Sequence, residues 1–430
     1  MSARWQDGHG LDIWSEIMTE PASFLNHTAI IQDSEESSVE TVLLSKGILA
    51  MKPQLKKLSD QVIVITGASS GIGLETARQA VAAGASVVLS SRNLAALNEI
   101  CTELNTKGPG HAFAVECDVK NGDQVKDLAN QAILQFGRID TWINNAGVTI
   151  YGKLTEVPLD EKRELFETNF WGVVNGCRSA VKELSKDGGA IINIGSVLSE
   201  RVIPMQGMYC ASKHAVKAYT DGLRMELEAD GCPISVTLVK PAAIDTPYID
   251  HGVNHMAHHP THTGPVYSPS IVAKAILHSA VHPRRDIYAG GSGKVFWFME
   301  QFLPRFTDLV MEKTMMEKGQ IDPRLDAADK VPSLMNPPRR EGFVRGTFPG
   351  RVMTTSAYTT YEMHPVAAAA VATGLGLAAA AGISYVLNAR KSTSSMKAGR
   401  RAVAGSQRRA GSSVKSSAAS DLDLSTRVTH

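Results

Sequence analysis

The chain is 430 residues long, with 43% hydrophobic and 20% charged residues and a formal net charge of +1. That length holds one large domain with extensions or two domains, and the balanced charge excludes a protein that grips nucleic acid through overall basicity. The five cysteines, Cys101, Cys117, Cys177, Cys210 and Cys232, form no Cys-x-x-Cys pair, which excludes a disulfide framework and a cysteine-based zinc site and fits a reducing, cytoplasmic compartment.

Met1 to Gly10 carry no apolar run and do not read as a signal peptide. Residues 1–57 form a leader, partly disordered around Ser34-Glu35-Glu36-Ser37-Ser38, with no assignable chemistry. The pattern changes at Val62-Ile63-Val64-Ile65, an apolar β-branched run expected as a strand buried on both faces. It leads into Gly67-Ala68-Ser69-Ser70-Gly71-Ile72-Gly73 and a helix over Leu74 to Ala83. Strand, glycine turn and helix together present backbone N–H groups and a helix N-terminus to a pyrophosphate. A second buried strand, Ser86 to Ser90, ends at Ser91-Arg92. An acidic residue there would bind a ribose 2′-hydroxyl, whereas a guanidinium suits a 2′-phosphate, so Arg92 points to NADP(H) over NAD(H).

Strands and helices go on alternating. A helix is expected over Asn93 to Lys107, a strand over His111 to Val119 ending at Asp118-Val119, a helix over Gly122 to Phe136, and a strand through Ile143-Asn144 into Asn145-Ala146-Gly147. A long helix over Leu159 to Leu184 carries Asn169, and the strand Ala190 to Ile194 ends at Gly195-Ser196. Repeated β-α-β units indicate a doubly wound, parallel α/β sheet of the Rossmann type, in which ligands bind at the carboxyl ends of the strands. The helix Gln206 to Ala229 places Tyr209 and Lys213 one turn apart on one face. Tyrosine titrates near ~10, and a neighbouring cation favours its phenolate, so the pair is a proton-transfer device for an alcohol or carbonyl. A strand at Ile234 to Val239 runs into Pro241, Ile244 and Thr246, a helix follows over Ser268 to Ala280, and Asp286 to Ala289 reads as a last strand.

Between these lies a segment rich in histidine, with His251, His255, His258, His259 and His262. Pro260 breaks any helix there and no carboxylates cluster beside it, so no metal is assigned and the segment reads as a substrate lid, with Tyr248, Met256 and Tyr267 as candidate liners of an apolar pocket. Val295 to Met316 has amphipathic spacing with a kink at Pro304, within a helical extension over 292–321. Residues 322–365 read as a linker. Val366 to Leu387 is uncharged and long enough for a bilayer span of about 20 residues, but its Ala and Gly content makes insertion marginal. It is either a membrane-associating helix or an Ala-rich connector to the basic disordered tail, 388–430.

Together these motifs resemble the short-chain dehydrogenase/reductase family in its standard, non-extended branch. The resemblance is carried by TGASSGIG at 66–73, Asp118-Val119, NNAG at 144–147, Asn169, Ser196, YCASK at 209–213 and the Pro241…Thr246 turn, and covers 58–291. It implies that Tyr209 is the acid-base residue, that Lys213 lowers its pKa and bonds the nicotinamide ribose, that Ser196 stabilises the substrate oxygen, and that Asn169 holds a relay water. It implies cofactor contacts from Gly67, Ser69, Ser70, Gly71, Ile72, Gly73, Ser91, Arg92, Asp118, Val119, Asn145, Ala146, Gly147, Tyr209, Lys213, Pro241, Ile244 and Thr246. It also implies a small carbonyl or alcohol substrate and a homo-oligomer built through the long helices. A catalytically silent scaffold on the same fold is the competing reading, and it has no need of the full Tyr-Lys-Ser-Asn set.

Overall fold

The computed structural model describes residues 53–316, 320–326, 334, 340–365 and 384. Nearly all of the expected leader, the apolar helix expected over 366–387 apart from Ser384, and the basic tail lie outside the described residues. Met1–Met363 forms one compact unit and His364–His430 a second, and the first carries everything described below.

The elements follow the alternation expected from the apolar runs. In order they are β1 (Val62–Thr66), α1 (Gly71–Ala82), β2 (Ser86–Ser91), α2 (Leu94–Lys107), β3 (His111–Glu116), α3 (Gly122–Phe136), β4 (Thr141–Asn144), β5 (Ile150–Tyr151), α4 (Leu159–Phe166) and α5 (Gly172–Leu184). Then come β6 (Gly189–Ile194), α6 (Gly207–Ala229), β7 (Ile234–Pro241), β8 (Ala243–Ile244), β9 (Val253–Asn254), β10 (His258–Pro260), β11 (Val266–Tyr267), α7 (Pro269–Ser279) and β12 (Asp286–Ala289). The C-terminal part holds α8 (Ser292–Phe302), α9 (Pro304–Thr314), β13 (Ile321–Asp326), β14 (Val352–Met353) and α10 (Ala357–Met363).

Seven strands form one sheet in the order β12-β7-β6-β4-β1-β2-β3, every pair parallel. β1 is an interior strand and buried along its whole length, as a continuous β-branched run requires. One face of the sheet packs Leu74, Ala77, Leu97 and Ile100 of α1 and α2 with Val272 and Ile276 of α7. The other packs Leu128 of α3, Val173 and Cys177 of α5 and Val216 of α6. Each large side chain so removed from water contributes about 1.5–3 kcal/mol. The order in which successive strands are added reverses between β1 and β4, which opens a crevice at their carboxyl ends.

Two stretches depart from the expected elements. The helix expected over Leu159 to Leu184 is interrupted by a π-helical turn, Glu167–Trp171, which turns Asn169 into the interior. Such single-turn bulges insert a residue and re-aim side chains. The stretch expected as a linker over 322–365 instead supplies β13, which pairs with β10, β14, which pairs with β11, and α10, which packs on β12 and α7. Its Pro, Arg and Gly content gives no periodicity, so only tertiary pairing orders it. The amphipathic stretch forms two helices, α8 and α9, broken at Leu303-Pro304. Arg201 bonds Glu300 and, at 2.6 Å, Asp308, which ties both helices to the domain, and Met311 packs on Ile203 and Cys210. Their outer face leaves Phe298, Phe302 and Phe306 more than half exposed. Among the described residues, no helix is long and apolar enough to cross a membrane.

Candidate active site

The crevice at the strand ends is a cavity of about 340 Å³. Its floor is the turn from β1 to α1. Gly73 lies so close to the start of that turn that a Cβ on it would sit 2.3 Å from the Gly67 carbonyl oxygen. Asn145 closes the turn from the β4 side: its Nδ2 donates to the Thr66 and Gly67 carbonyls, both at 2.9 Å. Thr66 Oγ1 accepts the backbone N–H groups of Asn145 at 3.0 Å and Ala146 at 3.2 Å. The two motifs therefore interlock, and Gly67, Ser69, Ser70, Gly71, Ile72, Asn145, Ala146 and Gly147 all line the cavity. Gly73 stands behind that lining and sets its shape.

Ser91 and Arg92 line the cavity beyond the end of β2, and Asp118 and Val119 line it beyond β3. Ser91 Oγ accepts the Asn93 N–H at 3.2 Å, and Arg92 Nη1 donates to the Leu334 carbonyl at 2.9 Å. Pro241, Ile244 and Thr246 line the opposite wall after β7.

Ser196, Tyr209 and Lys213 meet in the same cavity. Ser196 stands at the end of β6, and its Oγ accepts the Leu198 N–H at 3.0 Å, capping a short 3-10 turn over Val197–Ser199. Lys213 is only 4% exposed, and its Nζ donates to the Ile194 carbonyl at 2.8 Å. That Nζ lies 5.8 Å from the centre of the Tyr209 ring. Burial pulls the Lys213 ammonium down to about 8. Burial pushes the Tyr209 phenol up, and the approach of the Tyr248 and Ser196 hydroxyls pulls the other way. Desolvation is thus the largest influence on Tyr209, against the fall expected from the spacing to Lys213.

Asn169 does not line the cavity. Its Nδ2 donates to the Val148 carbonyl at 2.9 Å and to Ser212 Oγ at 3.1 Å, and its Oδ1 accepts the Val148 N–H at 2.8 Å. Both ends of the amide are committed to the chain, so Asn169 fixes the segment next to Gly147 and the helix of Tyr209.

The histidine segment is held in place by pairing. β9 pairs with β5 and β10 with β13, while His255 bonds Glu161 at 2.6 Å and His259 approaches Asp250 at 3.5 Å. His251 and His262 line the cavity. Burial pushes the His251 imidazole down to about 4, so it is neutral at physiological pH. Of the three expected pocket liners only Tyr248 is one: its ring packs 5.6 Å from that of Tyr209. The buried Tyr248 hydroxyl approaches those of Thr149 and Tyr209. Tyr267 packs into the main core and Met256 into a small cluster with Tyr151 and Met205. Tyr151 lines the cavity without any signal in its sequence neighbourhood.

The short chain dehydrogenase family model matches residues 61–255. An uncharacterized oxidoreductase, YxnA of Bacillus subtilis (strain 168), is 41% identical over 358 residues, covering 81% of this chain and 98% of that protein. Dehydrogenase/reductase SDR family member 7B of Danio rerio is 34% identical, covering 55% of this chain and 79% of that one. A crystal structure of a short chain dehydrogenase/reductase from Burkholderia phymatum, in complex with NAD, superposes with a TM-score of 0.52 at 25% identity, covering 60% of this chain and 97% of that one. With the parallel sheet, the glycine turn and these relatives, the chain belongs to the short-chain dehydrogenase/reductase family of nicotinamide-dependent oxidoreductases.

Proposed function

We propose that the protein is an NADP(H)-dependent oxidoreductase that interconverts a ketone or aldehyde and its alcohol. The observation that carries this reading is a single cavity reaching from Arg92, past the glycine turn, to Ser196, Tyr209 and Lys213. The close approach of Gly73 to Gly67 keeps the turn free of side chains where a dinucleotide would lie, so the residues present fit such a group. A nicotinamide dinucleotide held along the glycine turn would supply or take up the hydride.

This chain's own groups do the rest. In reduction, the Tyr209 hydroxyl gives its proton to the carbonyl oxygen as that oxygen gains charge, and in oxidation the flow reverses. The Ser196 hydroxyl donates a hydrogen bond to the same oxygen, a role that strengthens as charge develops. The buried Lys213 ammonium stabilises the phenolate left on Tyr209. Asn169 acts by holding the surrounding backbone. Val148, Tyr151, Leu198 and Ile203 give the substrate end an apolar wall, which suits a lipophilic carbonyl compound.

The test is a fluorescence titration of the full chain with NADPH and NADH. NADPH is expected to bind more tightly, and R92D to move the preference toward NADH. An unchanged ratio in R92D would place the 2′-phosphate elsewhere.

A further inference from the structure

The stretch from Glu341 to Phe348 folds back across the glycine turn as a strap. The Gly342 N–H donates to the Ser69 carbonyl at 2.8 Å, and the Gly71 N–H donates to the Phe343 carbonyl at 2.9 Å. Farther along, Arg345 Nε donates to the buried Asp245 carboxylate at 2.8 Å, and the Phe348 N–H approaches its other oxygen at 3.4 Å. The strap spans from the N-terminus of α1 to the loop after β7, on both sides of the cofactor groove.

Its first residue reaches the adenosine end. One oxygen of Glu341 accepts a bond from Asn93 Nδ2, across 248 residues of sequence. The other, Oε1, is enclosed and has no well-formed hydrogen bond among the described residues. Burial raises the pKa of this carboxyl, while Asn93, the Ser69 hydroxyl and the Arg92 charge all favour its ionised form. Ser91 and Arg92 are the cavity residues at the end of β2, where the ribose 2′ substituent sits in such folds, and Ser69 lines the cavity from the glycine turn. The strap thus brings an acidic residue, which β2 does not supply, against Asn93 just behind the cavity-lining Arg92.

We propose that Glu341 is a specificity-determining residue for the cofactor: its carboxylate, set beside Ser69, Asn93 and Arg92, opposes a 2′-phosphate and moderates the preference that Arg92 sets. This rests on the nicotinamide-cofactor reading above. A fixed negative charge repels a phosphate dianion at close range, yet a 2′-hydroxyl, being a donor, meets no such penalty. The strap lies outside residues 61–255, the stretch that the family model matches.

E341Q deletes the charge and keeps both the size of the side chain and an acceptor for Asn93. Titration of the full-length variant with NADPH and NADH is expected to show NADPH binding about tenfold tighter, with NADH unchanged or weaker. A gain in affinity cannot come from a damaged fold, so the result is readable even in a less stable variant. An NADPH affinity within twofold of wild type, or both cofactors weakened together, overturns the proposal. R92D separates this outcome from the underlying reading: a ratio that moves in R92D but not in E341Q removes only the role of Glu341.

Discussion

At the catalytic end of the groove, Asn169, Ser196, Tyr209 and Lys213 come from one continuous run, 159–229, that holds α4, α5, β6 and α6. At the adenosine end, Arg92 and Asn93 meet Leu334 and Glu341 across 242 and 248 residues. The first end is fixed by regular geometry: a helical turn sets Tyr209 over Lys213, and a strand end sets Ser196 against them. Its polar groups are buried and bonded to backbone, as Lys213 is to Ile194 and Asn169 to Val148. The second end is fixed by a few hydrogen bonds from a strap whose Gly342, Phe343 and Arg345 are exposed. Segments held by few buried contacts open more readily than core helices, so the two ends of one site are built with different local stability.

The largest effect is expected at the rigid end. Y209F removes the proton donor and leaves the groove unchanged in shape. Turnover of NADPH with a panel of aliphatic and aromatic aldehydes is expected to fall by ~10²–10⁴-fold, with the NADPH dissociation constant within about threefold of wild type. Retained turnover would sink the acid-base role of Tyr209. A matching loss of NADPH binding would show that the two ends are coupled and erase the contrast between them.

Lys213 gives the next largest effect, read through pH. Burial holds its folded pKa at about 8, below the ordinary value of 10.5. Between those values the unfolded chain carries a proton that the folded chain has released, so stability rises with pH across this window. The cost of burying the ammonium is felt in full below about 8. The shift corresponds to roughly 3 kcal/mol. K213M removes the group, and urea denaturation of the cofactor-free protein at about pH 8 and about pH 10 is expected to show a rise in wild type that is absent from the variant. Equal slopes in the two proteins would mean that Lys213 is solvated when folded.

The contrast also explains what the sequence made legible. The parallel sheet follows from runs such as Val62–Ile65 and from helices that recur at regular spacing, and these patterns survive because they arise from local geometry. Tyr209 and Lys213 are visible for the same reason. Asn169 is legible as a position but not as a partner, because its bonds to Val148 and Ser212 depend on a π-helical turn that no periodicity announces. Tyr267 and Met256 look like pocket residues from their place in the histidine segment, but β8–β11 pairing buries Tyr267 in the core. The strap is least legible. Pro, Arg and Gly in residues 340–350 read as a linker, and what orders them is pairing with Ser69, Gly71 and Asp245 far away in sequence.

The smallest expected effect tests the strap by a substitution outside the catalytic and cavity-lining residues. Gly346 passes so close to the loop after β7 that a Cβ on it would lie 2.5 Å from the Thr246 carbonyl oxygen and 3.1 Å from Asp245 Oδ1. Neither neighbour yields easily, since one is backbone and the other is a buried carboxylate held by Arg345. G346A therefore lifts the strap locally instead of being absorbed. The atoms nearest that methyl group belong to the loop after β7 and not to the hydrophobic core, so global stability is expected to move by less than about 1 kcal/mol. NADPH binding is expected to weaken about threefold to tenfold, because Thr246 lines the groove and the strap's hold on Ser69 and Gly71 loosens with it. Turnover at saturating NADPH is expected to stay within about twofold, since Tyr209, Ser196 and Lys213 are held from the other side. A fall in saturated turnover as large as the fall in affinity would mean that the strap reaches the catalytic end, and that the two regions act as one rigid body.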